Sequence, residues 1–186
     1  MEKTAVQKLA GALKVLVTIT LVCNLVALLL VPGMSLMKGP EELLALTPYE
    51  NPLEVPLRVG IAFVLSWGWV WTAGVYEVVL ALFLLFCGIC TAVILWQGRR
   101  VLGTILTGAP FRAENGVSLR RAAVCCFLIA AAALARVVWG LFYYGSVAPL
   151  LTYNALFVPI FILGGLLCLV MSALFRQAAE LKAEND

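Results

Sequence analysis

The chain has 186 residues, of which 63% are hydrophobic and only 12% charged, with a net charge of +3. Soluble domains carry about 45–50% apolar and about 25% charged residues, so this composition excludes an ordinary soluble domain and directs attention to runs of about 20 apolar residues that cross a bilayer. There is no histidine, which removes the commonest general base and the commonest zinc and haem ligand.

The first apolar run extends from about Val15 to Val31, within a helix expected over about 13–31, and ends at Pro32-Gly33. Lys3, Lys8 and Lys14 precede it, and Lys14 can snorkel to the interface. The run is long and has no Ala-x-Ala-like exit, so it reads as an uncleaved helix.

A connection over 32–73 follows, rich in Pro and Glu. Within it, large apolar residues hold alternate positions from Leu53 through Val55, Leu57, Val59, Ile61, Phe63 and Leu65 to Trp67, Trp69 and Trp71. The residues between them are mostly small or polar. A two-residue period belongs to a strand and not to a helix. An open strand cannot lie in hydrocarbon, so the pattern predicts an extracytoplasmic β-ribbon resting at the interface with its tryptophans in the headgroup belt.

A second helix is predicted over 74–107, overrunning the membrane through Arg99, Arg100, Val101, Leu102, Ile105 and Leu106 until Gly108 and Pro110 stop it. A third covers 113–144 and a fourth 154–180, separated by a short turn that holds Pro149. The fourth continues as a polar tail to Asp186. The cations collect at the N-terminus, around Arg99, Arg100, Arg112, Arg120 and Arg121, and in the tail at Arg176 and Lys182. By the positive-inside rule these segments are cytoplasmic. The expected architecture is therefore an all-α membrane protein: one membrane domain, 1–186, built as a four-transmembrane-helix bundle with both termini in the cytoplasm.

Glu77 and Arg136 are the most deeply placed ionisable residues, on neighbouring antiparallel helices. An intramembrane charge is a functional hypothesis by default, and the two are expected to form an ion pair. The cysteines, Cys23, Cys87, Cys90, Cys125, Cys126 and Cys168, all lie in apolar runs. Cys87-Gly-Ile-Cys90 has the spacing of a redox pair, yet a reactive thiol needs a polar or cationic setting, and small buried hydrophobes are the better reading. No catalytic residue, metal site or cofactor is expected.

The most particular segments are Ala109-Pro110-Phe111-Arg112-Ala113-Glu114-Asn115 leading to Leu119-Arg120-Arg121, and the tail from Leu174 to Asp186. Together they resemble bacterial four-helix membrane proteins of domain-of-unknown-function family 2975. The resemblance departs at Arg112, where a Ser or Thr cap is expected, and at Gly116, which weakens a helix start. It implies no activity. It does imply a place in the bacterial inner membrane and a regulatory association with a small Cro-like helix-turn-helix protein.

The expectation is thus a non-enzymatic accessory or sensor protein. It sits in the lipid bilayer, does not bind nucleic acid directly, and meets a cytoplasmic protein partner through Arg99, Arg100, Glu114, Asn115, Arg120, Arg121, Arg176, Glu180 and Glu184. The alternatives are a small transporter or binding protein with Glu77 and Arg136 in its site, and a thiol–disulfide enzyme using Cys87 and Cys90.

Overall fold

The computed structural model describes residues 5–36, 55–109 and 111–185. Five α-helices follow one another: α1 (Ala5–Leu36), α2 (Val55–Trp69), α3 (Val75–Leu106), α4 (Ala113–Tyr144) and α5 (Tyr153–Asn185). Short 3₁₀ turns cover Val70–Thr72 and Ala148–Leu151. Helices α1, α3, α4 and α5 are long and apolar enough to cross a membrane. In lipid a helix satisfies every backbone N–H and C=O within itself, so a continuous apolar run of this length takes no other form.

No strand is present among the described residues. The ribbon expected over Leu53–Trp71 is instead α2 and the turn that follows it, apart from Leu53 and Glu54, which lie outside the described residues. The alternation misleads because the intervening Ala62, Val64 and Val70 are apolar too. From Gly60 to Val70 only Ser66 of the intervening residues is polar, so a polar face does not extend along the segment, and a helix needs no second strand to close its hydrogen bonds. At 15 residues, α2 is roughly 22 Å long, short of the roughly 30 Å hydrocarbon core.

Two compact units are formed. One comprises Leu25–Phe86. In it α1 does not stop at Pro32 but continues to Leu36. Proline removes one helical N–H and its ring presses on the carbonyl four residues earlier. Two side chains bind the backbone around this point. The Ser35 hydroxyl donates to the Pro32 carbonyl at 2.9 Å, and the Trp67 indole N–H of α2 donates to the Leu29 carbonyl at 3.1 Å. The Phe63 ring occupies the space where Gly33 lacks a Cβ. Val31, Val70 and Ala81 are buried together, with Leu84 and Leu85 against them.

The other unit comprises Met1–Asn24 and Cys87–Asp186, and its centre is the α4–α5 pair. The buried face of α4 is built from small side chains: Gly116, Ser118, Ala122, Ala123, Cys126, Ala130, Ala133 and Gly140, with Ile129 and Val137. Small residues let transmembrane helices approach closely, because packing and hydrogen bonds replace the hydrophobic drive that lipid does not provide. Large residues such as Leu163 and Leu167 face outward. The Phe127 ring fits where Gly165 has no side chain. Gly145, at φ 58°, ends α4 in the left-handed conformation that glycine adopts without a Cβ penalty. Pro149 then packs on Gly140, where a Cβ would lie 3.2 Å from the proline ring. Trp139 stacks on Tyr143 at 4.8 Å and Tyr143 meets Tyr144 edge-on at 5.0 Å, an aromatic group of the kind found at headgroup depth.

Candidate functional site

The polar end of the second unit gathers the last turns of α3, the first of α4 and the last of α5. Its geometry starts with how α3 stops. Gly108 takes φ 76°, its N–H donates to the Ile105 carbonyl at 3.1 Å, and the Ala109 N–H donates to the Thr104 carbonyl at 3.1 Å. This paired pattern is a Schellman motif, which satisfies carbonyls that a helix end leaves open. The chain then turns into α4 through Arg112, whose backbone is extended (φ −115°, ψ 137°) and whose side chain makes no cap.

Asn115 secures the turn from inside. It is 1% exposed, and its side-chain amide donates to the Thr104 hydroxyl at 2.7 Å, tying α4 to α3. The Thr104 hydroxyl in turn donates to the Val101 carbonyl at 2.7 Å. Sequence reasoning placed Asn115 on a partner face; the structure buries it as part of the joint.

Gly116 secures the opposite side. The buried Ser172 hydroxyl of α5 donates to the Gly116 carbonyl at 2.7 Å. A Cβ at Gly116 would lie 2.8 Å from Arg176 Cγ and 3.0 Å from the Ser172 carbonyl oxygen. Gly116 therefore permits the α4–α5 approach at this end, and is not simply a poor helix starter. The Phe111 and Phe175 rings meet at 6.3 Å.

Around this joint the charged residues point outward. Arg100, Glu114, Arg120, Arg121, Arg176, Glu180 and Glu184 are exposed, and Arg99 is half-buried. Arg100 and Glu114 approach to 3.7 Å with both side chains exposed, a weak pairing in solvent. Arg99 lies over the Trp96 ring at 5.6 Å.

Glu77 and Arg136 belong to different units. Glu77 stands in the first turn of α3, where a carboxylate is favoured by the helix dipole. Its Oε2 folds back so that a Cβ at Gly74 would lie 2.5 Å from it. Arg136 is half-buried on α4. The six cysteines are free. Among the described residues no group of three or more His, Cys, Asp or Glu is placed to hold a metal.

Four long apolar helices, with small residues buried between α4 and α5 and large ones turned outward, define a multi-pass helical membrane protein. The chain belongs to the DUF2975 family, described as proteins of unknown function, whose family model matches residues 45–186. Neither a curated protein nor a solved structure matches it.

Proposed function

We propose that the chain is a membrane accessory protein, non-catalytic, whose charged helix-end face docks a second protein on the cytoplasmic side of a bacterial inner membrane. The observation that supports this reading is the joint at Asn115 and Gly116. Two hydrogen bonds, from Asn115 to Thr104 and from Ser172 to the Gly116 carbonyl, tie the start of α4 to the end of α3 and to α5 at Ser172, 13 residues before its last residue, and exposed charges of both signs flank them. A face whose backbone is fixed loses little freedom when a partner binds. Mixed charges with the exposed Phe111 and Leu181 rings and side chains among them match a polar-rimmed interface. The cations at this end favour the cytoplasmic side. The family resemblance supports a small helix-turn-helix regulator as the partner, with the membrane protein holding or releasing it.

The test is capture from native membranes of the intact chain, a chain truncated after Arg176, and an R120A/R121A variant. A protein that co-purifies with the intact chain and is lost from both variants supports docking at this face. The same proteins co-purifying with all three would reject it.

A further inference from the structure

Arg99 and Arg100 of the docking face also line an open cleft of about 400 Å³, together with Lys14 of α1 and Trp96 and Gly103 of α3. The spacing explains the lining: 96, 99, 100 and 103 fall on one face of a helix, three and four residues apart. Gly103 opens the floor. The Lys14 ammonium lies 3.5 Å from where a Cβ at Gly103 would stand, and at Gly11 a Cβ would be 3.7 Å from Leu106, so α1 and α3 run close together here. Lys14, Arg99 and Arg100 bring three positive charges to this space, and the Glu114 carboxylate, 3.7 Å from Arg100, offsets one. The remaining charge is positive. Trp96, with the Arg99 guanidinium over its ring, is an amphipathic side chain of the kind that sits at headgroup level.

We propose that this cleft binds the phosphate group of an anionic phosphate ester, its oxygens among Lys14, Arg99 and Arg100 and its apolar part along Trp96. Arginine presents donors in a planar fork that matches phosphate oxygens, and lysine adds a mobile point charge. A flat basic surface attracts anionic lipid without selecting a position. A cleft with a glycine floor differs, because its binding depends on the space as well as on the charge. The proposal does not rest on the docking reading, and a glycine-floor variant, which leaves every charge of the docking face in place, separates the two.

The experiment uses the full chain in detergent and native mass spectrometry to measure retention of phosphatidylglycerol against phosphatidylcholine, with glycerol 1-phosphate as a soluble competitor. The intact chain is expected to retain phosphatidylglycerol preferentially. R99A/R100A should weaken it about 25-fold, at about fivefold for each interfacial cation. G103L, which fills the floor and keeps all charges, and K14M, which keeps the aliphatic stem, should each weaken it several-fold. R112Q/K182Q removes two exposed cations elsewhere at this end and should leave retention within twofold. Competition by glycerol 1-phosphate assigns the site to soluble phosphate esters as well, and failure to compete assigns it to the lipid. Equal retention of both lipids with no binding of glycerol 1-phosphate overturns the proposal. So does a loss in R112Q/K182Q equal to that in R99A/R100A, or a G103L variant that folds and binds normally.

Discussion

Replacing Gly116 by alanine sets two effects of known sign against each other. Alanine is favoured over glycine inside a helix by about 1 kcal/mol. The added Cβ would stand 2.8 Å from Arg176 Cγ and 3.0 Å from the Ser172 carbonyl oxygen. The arginine methylene can swing aside, but the carbonyl belongs to the α5 backbone and moves only with the helix. Overpacking of this kind costs about 1–3 kcal/mol. The shift also stretches the 2.7 Å bond from Ser172 to the Gly116 carbonyl, worth about 1 kcal/mol. The net is a destabilisation of about 1–3 kcal/mol, a fall of several degrees in Tm at about 2–4 °C per kcal/mol for a chain of this size. Thermal unfolding in detergent measures it, with R176A/G116A as a second variant that relieves the side-chain clash and leaves the backbone one. A G116A protein with unchanged or higher Tm would mean that α4 and α5 do not approach closely at this glycine.

Trp67→Phe keeps an aromatic ring and removes the donor to Leu29, so it should cost about 0.6–1.7 kcal/mol and raise hydrogen exchange in the last turns of α1; unchanged exchange there would mean that the bond does not hold α1 through Pro32. For Glu77 and Arg136 the expected pairing makes either single alanine substitution cost about 3–5 kcal/mol and the double one less than their sum; additive losses in a double-mutant cycle would show that they do not interact. Alkaline phosphatase fused after Asp186 should be inactive and fused at Pro48 active, from the placement of Lys and Arg, and the reverse activities would invert the orientation.

The four long helices were legible because lipid imposes one requirement on every crossing residue, and Leu, Val and Ile runs meet it openly. What failed was local reading where distant contacts decide. Pro32-Gly33 reads locally as a stop, yet the Leu29 carbonyl beside it is met by Trp67, 38 positions along the chain, and no local pattern announces that. The alternation through Trp67, Trp69 and Trp71 has a strand period with mostly small or polar residues between, but small residues such as Gly60, Ala62 and Gly68 make no polar face and are as compatible with a helix. Gly116 was seen only as a weak helix former; its alignment with Ser118, Ala122, Ala123 and Cys126 was the available signal that this side of α4 meets another helix. The outward charges of the polar end could be named from the sequence. Asn115 could not be separated from them, since an asparagine beside Glu114 looks solvated until Thr104 is brought to it. The cleft was illegible for the same reason, with Lys14 far in sequence from Arg99 and Arg100.

The docking claim is tested most directly by site-specific photocrosslinking in native membranes, with the reactive residue placed at Arg120, at Glu180 and at Phe142. Arg120 and Glu180 lie on the charged end, while the exposed Phe142 stands 22 positions beyond Arg120 on α4, roughly 33 Å along the helix. One protein adduct of the same mass is expected at Arg120 and Glu180, absent at Phe142 and, with the probe at Arg120, absent when the chain is truncated after Arg176. Lipid adducts alone at all three positions, or the same protein adduct at Phe142, would contradict it.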